Sequence, residues 1–300
     1  MDRNSLAGRV IVITGASSGF GKGTAVAFAR EGARLALAAR RAELLEERVT
    51  ACMEAGADAF ALAIDVSDPS AVQDLCRATL DRYGRIDVWI NNAGVGAIGR
   101  FERIPIEDHA QVVQTNLLGT IYGSYHAYRQ FIEQANGILI NVASELGKHT
   151  VPYFSSYTAA KHGVVGLGDS LRQELAMAHH GDIHVCTVMP TAHDTPFFDH
   201  VANYTGHEIQ APEPLHDPND VIDTLVALAR NPKDETIVGG DGIVKILLKK
   251  VVPPMSEKGA AKQMHKTQFE DSPPAGDTSG AVHAPIGAGT EVSAGRRKKP

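Results

Sequence analysis

One stretch, Arg9 to Glu31 (RVIVITGASSGFGKGTAVAFARE), constrains this chain more than any other. Val10 to Ile13 is a short continuous apolar run, the pattern of a strand buried on both faces of a parallel sheet. Thr14-Gly15 breaks the run, glycines recur at Gly15, Gly19 and Gly21, and beyond Gly21 the residues Ala25, Phe28 and Ala29 fall at helical spacing. A strand that passes through a glycine loop into a helix leaves backbone N–H groups pointing past its end. Those donors and the helix dipole favour an anion there, typically a pyrophosphate. The spacing TGxxxGxG makes a longer loop than GxGxxG.

Strands and helices alternate to about residue 190. Further apolar runs at Arg34–Ala39, Ala59–Ala63, Val88–Asn91, Gly137–Val142 and Ile183–Met189 read as strands, with Thr236–Val238 as a last one. Helical patterns occupy Arg41–Ala55, Ser67 to Tyr83, a long stretch around Asp108–Gln134, Tyr157–His179 and Asp217–Arg230. Ser67-Asp68-Pro69 supplies an N-cap and an early proline. Repeated βαβ units require right-handed crossovers and helices on both faces of a parallel sheet. The expectation is a single α/β domain over residues 1–252, a doubly wound, Rossmann-type sheet with its ligand at the carboxyl ends of the strands. From residue 253 the composition turns to Pro, Gly, Ala, Ser and charge, which predicts a disordered tail over 253–300.

The net charge of −6 over 300 residues argues against a nucleic-acid-binding surface across the whole chain. Cys52, Cys76 and Cys186 are few and widely spaced, which fits buried thiols in a reducing, cytoplasmic compartment. No signal-like apolar run opens the sequence, and nothing in it is apolar over the length a membrane helix needs.

Tyr157 and Lys161, four residues apart on a helical pattern, project from one face. A lysine ammonium near a phenol stabilises the phenolate and lowers the tyrosine pKa towards neutrality, making Tyr157 a competent general acid/base. Ser144 lies just past the end of strand Gly137–Val142, Asn91-Asn92-Ala93-Gly94 closes Val88–Asn91 at the same edge, and Asn116 sits in the following helix.

TGASSGFG (Thr14–Gly21), Asp65-Val66, NNAG (Asn91–Gly94), Asn116, Ser144 and Tyr157-x-x-x-Lys161, in that order, resemble the short-chain dehydrogenase/reductase superfamily over roughly Leu6 to Val238. The resemblance implies an NAD(P)-dependent oxidoreductase acting on CH–OH or carbonyl groups. In it Tyr157 exchanges the proton and Ser144 hydrogen-bonds the substrate oxygen. Lys161 binds the nicotinamide ribose and tunes Tyr157, and Asn116 supports a water in the proton relay. The cofactor would lie along Gly15, Ser17, Ser18, Gly19, Phe20 and Gly21, then Arg40 and Arg41, Asp65 and Val66, Asn92, Ala93 and Gly94, Tyr157 and Lys161, and finally Pro190 and Thr195. Arginines at the end of the second strand suit a 2′-phosphate, so NADP(H) is favoured over NAD(H), although Ser18 stands where the family often carries a second basic residue. Pro190 is followed by Thr191 where the family usually has glycine, which loses easy access to positive φ and leaves the carboxamide contact to Thr195.

Two other functions use the same elements: an idle nucleotide-binding sensor or scaffold, and a nucleotide-sugar epimerase or dehydratase. The complete Asn116, Ser144, Tyr157 and Lys161 set argues against the first, and the loop TGASSGFG against the second. The expected partners are a small carbonyl or alcohol substrate and further copies of the chain, as a homodimer or homotetramer, without nucleic acid or stable membrane insertion. The histidines at 179, 180, 193, 200 and 207 match no zinc spacing, so no metal is expected. Ile246–Val252 with Lys249 and Lys250 reads as a segment closing the sheet or a subunit interface, and Arg296–Lys299 as solvated charge. The irregular stretch after the sixth strand, about 191–216, reads as a substrate loop, its part Thr191–Gly206 as a mobile lid.

Overall fold

The computed structural model describes residues 5–240, 242 and 253–297. The Ile246–Val252 segment and the last residues of the basic end therefore lie outside the described residues. In chain order the elements are β1 (Val10–Thr14), α1 (Gly19–Arg30), β2 (Arg34–Ala39), α2 (Ala42–Glu54), β3 (Asp58–Ala63), α3 (Pro69–Tyr83), β4 (Val88–Asn91), β5 (Ala97–Gly99), α4 (Ile106–Val113), α5 (Gly119–Gln134), β6 (Gly137–Val142), α6 (Ser155–Met177), β7 (Ile183–Pro190), α7 (Phe197–His200), β8 (Ala202–Tyr204), α8 (Pro218–Arg230), β9 (Glu235–Val238) and α9 (Pro253–His265).

Seven strands form one parallel sheet in the order β3-β2-β1-β4-β6-β7-β9. Chain order reverses between β1 and β4, so their carboxyl ends, Gly15 and Asn91–Gly94, flank the crevice in which such sheets bind ligands. All residues of β1, β4 and β6 are buried, as expected of strands with helices on both faces. One face packs Ile11, Ile13, Leu35 and Leu37 against Phe28, Leu45 and Leu225. The other sets Val12, Trp89 and Leu139 against Leu75, Phe131 and Leu175.

The helix ends follow their sequence signals. The Asp68 carboxylate accepts from the Ser70 amide at 2.8 Å with Pro69 in the first turn, and Gly84 closes α3 at φ 74°. Asp217 and Pro218 repeat the arrangement at α8.

Three parts go beyond the sequence reading. The long helix around Asp108–Gln134 is two helices joined by a π-helical turn, Gln114–Leu118. Asn116 sits in that turn, and π-bulges of this kind recur at functional sites. Residues 191–206 form α7 and β8, and β8 pairs in parallel with β5 through Ala97–Ala202 and Gly99–Tyr204. Val201 and Ala202 are buried there, so this stretch is anchored in the structure described. Lastly, the described part of the tail, which has no core of its own, lies against the domain. Helix α9 and a π-helical turn (Lys266–Glu270) cover one end of the crevice, and Ala281, Pro285 and Ile286 line it farther along.

Candidate active site

Glycines shape the first loop. Gly15 has φ +70°, and a Cβ on it would stand 2.8 Å from Cα of Ala93 and 2.9 Å from Nδ2 of Asn92. A Cβ on Gly21 would collide with the Gly15 carbonyl. The β1 and β4 loops can thus approach only as bare backbone. Thr14 locks them together: its hydroxyl accepts from the amides of Asn92 (3.0 Å) and Ala93 (3.2 Å), and Asn92 donates to the Thr14 carbonyl at 2.9 Å. Helix geometry leaves the Phe20 and Gly21 amides without intrahelical acceptors, and Phe20 lines the crevice.

A cavity of about 720 Å³ runs along this edge. It brings together Gly15, Ser17, Ser18, Gly19, Phe20, Arg40, Arg41, Asp65, Val66, Asn92, Ala93, Gly94, Asn116, Ser144, Tyr157, Lys161, Pro190 and Thr195. Gly21 alone of the expected residues is absent from the lining, since it acts through its close approach to Gly15. The size and the line of bare glycine backbone suit an extended dinucleotide.

At the inner end stand Tyr157 and Lys161, both buried on α6. Lys161 Nζ donates to the Val142 carbonyl at 2.8 Å and lies 5.6 Å from the Tyr157 ring centroid. The Tyr157 ring stacks on Phe154 with centroids 4.4 Å apart and 9° between planes. Burial pushes the phenol up to about 12, opposed by its hydrogen bond with Ser144 and reinforced by the Glu145 carboxylate. Burial also brings Lys161 down to about 8. The expected lowering of Tyr157 by its lysine is therefore reversed: desolvation favours the neutral form of each group and outweighs their mutual influence.

The Asn116 side-chain amide donates to the carbonyls of Val95 (2.7 Å) and Val112 (2.8 Å) and accepts from the Val95 amide at 3.2 Å. It ties the π turn to the segment after β4. Asn91 is structural as well, accepting from Trp89 Nε1 at 2.8 Å and donating to Asn141 at 2.9 Å.

Arg41 donates to the hydroxyls of Ser17 and Ser18, the latter at 2.8 Å, and Arg40 lies 3.9 Å from the Asp65 carboxylate. Burial holds both guanidiniums below their ordinary pKa, and for Arg40 the Asp65 charge opposes this. Thr191 keeps a negative φ, so the backbone after β7 continues without the glycine conformation. Its amide extends the sheet by donating to the Val238 carbonyl at 2.9 Å.

Several lining residues have no counterpart in the sequence reading. Glu145 and His149 stand 3.2 Å apart beside Ser144; the place of Glu145 one residue past Ser144 was the available signal. Gln268 of the tail exchanges hydrogen bonds with the backbone of Gln210, and the tail residues Ala281, Pro285 and Ile286 line the outer wall. Nothing local in so polar a segment marks it as part of a site.

Among the described residues, no His, Cys, Asp and Glu side chains gather as a metal site, and no helix is long and apolar enough to cross a membrane.

Residues 9–204 match the model of the short chain dehydrogenase family. An uncharacterized oxidoreductase of Bacillus subtilis (strain 168), YxnA, is 30% identical over 267 residues, covering 88% of this chain and 75% of that protein. Levodione reductase of Leifsonia aquatica is 41% identical over 162 residues, 53% of this chain and 61% of that enzyme. Among solved structures, a short chain dehydrogenase/reductase from Burkholderia phymatum in complex with NAD superposes with a TM-score of 0.75 at 26% identity, covering 84% of this chain and 96% of that one. An alcohol dehydrogenase from the archaeon Thermococcus sibiricus, complexed with 5-hydroxy-NADP, does so with a TM-score of 0.66 at 28% identity, over 77% and 95% of the two chains. With its seven-stranded parallel sheet, glycine-bounded crevice and buried Tyr157–Lys161 pair, the chain belongs to the short-chain dehydrogenase/reductase family of oxidoreductases.

Proposed function

We propose that the chain is an NADP(H)-linked carbonyl reductase or secondary-alcohol dehydrogenase in which Tyr157 transfers the proton. The observation that carries this is the Tyr157 phenol itself: buried at the inner end of the cavity, hydrogen-bonded to Ser144 and one helical turn from Lys161. The cofactor supplies or accepts the hydride. In the reducing direction Tyr157, protonated at neutral pH, donates its proton to the carbonyl oxygen as that oxygen gains charge, and Ser144 holds the oxygen in place. In the oxidising direction Tyr157 first gives up its proton, and the phenolate then takes the proton of the substrate hydroxyl as hydride leaves the carbon. Lys161, lowered by burial but still largely charged at pH 7, offers its ammonium to a ribose hydroxyl and to the developing phenolate.

The nicotinamide class is supported by what the two structural relatives hold, NAD in one and 5-hydroxy-NADP in the other. The NADP preference rests on Arg40 and Arg41, whose guanidiniums suit a 2′-phosphate. Around Tyr157 the wall is Val95, Ile98, Leu146, Phe154 and Phe197, which favours a substrate with an apolar body around its carbonyl. Three buried thiols, each raised to about 11 by burial, fit a protein of the reducing cytoplasm. The test is NADPH and NADH consumption over a panel of aldehydes, ketones, quinones, steroids and acyl-thioester ketones. Turnover with apolar ketones supports the reading; no turnover with any carbonyl, despite cofactor binding, would favour the idle nucleotide-binding sensor.

A further inference from the structure

Residues 278–297 lie beyond the span of the family match and follow the outer edge of the crevice. They are held along their whole length. At the start, Asn203 and Thr278 exchange backbone hydrogen bonds of 2.8 and 2.9 Å, and Val282 is fully buried in the apolar cluster that contains Phe154 and Tyr157. In the middle, Arg40 donates to the carbonyls of Ala281 (2.5 Å) and Val282 (3.2 Å), and Arg41 to those of Ile286 (3.3 Å) and Ala288 (3.4 Å). Further on, the Gly19 amide donates to the Glu291 carbonyl at 2.9 Å, Lys22 pairs with the Glu291 carboxylate at 2.7 Å, and Asp194 accepts from Ser293 at 2.7 Å.

Two glycines permit this approach. Gly280 has φ +51°, and a Cβ on it would stand 2.7 Å from the backbone carbon of Val201. Gly289 has φ +68°, and its Cβ would stand 2.5 Å from His200 Nε2 and 2.8 Å from Pro196 Cβ. The fit is therefore written into the segment as well as into the surface beneath it. Because Ala281, Pro285 and Ile286 line the same cavity as Arg40, Arg41 and Asp65, the segment roofs the cavity without filling it.

We propose that residues 278–297 are a strap that competes with the 2′-phosphate of NADP for Arg40 and Arg41: either cofactor takes the Gly19 amide from Glu291, whereas only NADP must also displace the strap from the arginines. This rests on the reading of the crevice as the nicotinamide-cofactor site. The strap offers the guanidiniums neutral carbonyls, whereas a phosphate adds an opposite charge and bidentate geometry, so a phosphate can win the arginines. It must still give up the strap's other contacts, and a ligand that binds only the strap-free form is weakened by the fraction of chains in that form. The strap thus sets the balance between the two cofactors.

The test uses the full chain carrying Gly280→Val and Gly289→Val together, with folding checked by circular dichroism, and compares dissociation constants for NADPH and NADH by fluorescence titration. Undocking the strap lowers the ratio of the NADPH to the NADH constant by about tenfold or more, as expected when a strap-free form populated at about one part in ten becomes dominant. An unchanged ratio, with both cofactors bound, overturns the strap and leaves the cofactor site standing. Binding of neither cofactor in either protein overturns the site and the strap together. Hydrogen exchange on the unsubstituted chain gives a second arm: NADPH speeds exchange over residues 280–288, the part held by Arg40 and Arg41, and NADH does not. Equal effects of the two cofactors on that segment contradict the proposal.

Discussion

Lys161 Nζ donates to the Val142 carbonyl at 2.8 Å, inside a site where burial alone brings its pKa down to about 8. The unfolded chain would keep that proton to about 10.5. Between those values the unfolded state binds the proton that the folded state has lost, so stability rises with pH across the window, and the full penalty is present below pH 8. Replacing Lys161 with Met should therefore stabilise the protein near pH 7 by up to about 3 kcal/mol, less what the bond to Val142 contributed. The gain should fade towards pH 10.5. Urea unfolding at pH 7 and 9.5 checks the sign: a gain that grows with pH would contradict it.

Gly15→Ala places a methyl against Cα of Ala93 at a φ of +70°. The left-handed conformation alone costs on the order of 1–2 kcal/mol, and the collision must be relieved by parting the β1 and β4 loops. We expect lower stability by about 2–4 kcal/mol and loss of cofactor binding in whatever remains folded. Trp89, the one tryptophan of the chain and fully buried, reports the unfolding midpoint.

Asp108 is buried and accepts from two partners on different segments, Tyr204 of β8 and His283 of the strap, each at 2.7 Å. Tyr204→Phe removes one bond to this carboxylate and should cost about 1.5–3 kcal/mol, the range for bonds to charged groups. A loss below about 0.5 kcal/mol in urea unfolding would show that the pairing contributes little.

The stretch 191–206 should resist hydrogen exchange without any ligand. The Thr191 amide bonds to the Val238 carbonyl, Ala202 to Gly96 and Asn203 to Thr278, with Val201 and Ala202 out of solvent. Rapid exchange there in the free protein would restore the mobile lid that the irregular sequence suggests.

Where local chemistry decides structure, the sequence was readable. The apolar run Val10–Ile13, the glycines after it and the Asp68-Pro69 cap each specify their own element, and together they define the sheet and the edge that carries the site. The Tyr157–Lys161 spacing likewise located the cavity's inner end. Less accessible was whatever depends on residues far apart in the chain. The tuning of Tyr157 is set by the burial that Phe154 and Phe197 impose, not by the lysine one turn away. The three-residue strand β8 has no signal of its own until β5 is placed beside it. The tail reads as disordered because its apolar content is low. Its contacts are with Arg40, Arg41 and the surface around His200, more than 80 residues earlier in the chain.

The central claim is that Tyr157 moves the proton, and Tyr157→Phe tests it most directly. The phenylalanine keeps the stack on Phe154 and removes only the hydroxyl, so unfolding and NADPH binding should stay close to those of the parent. Turnover of the best ketone in the panel should fall by about 100-fold or more, the scale of general acid/base catalysis. Turnover undiminished in a folded, cofactor-binding Tyr157→Phe protein would contradict the account.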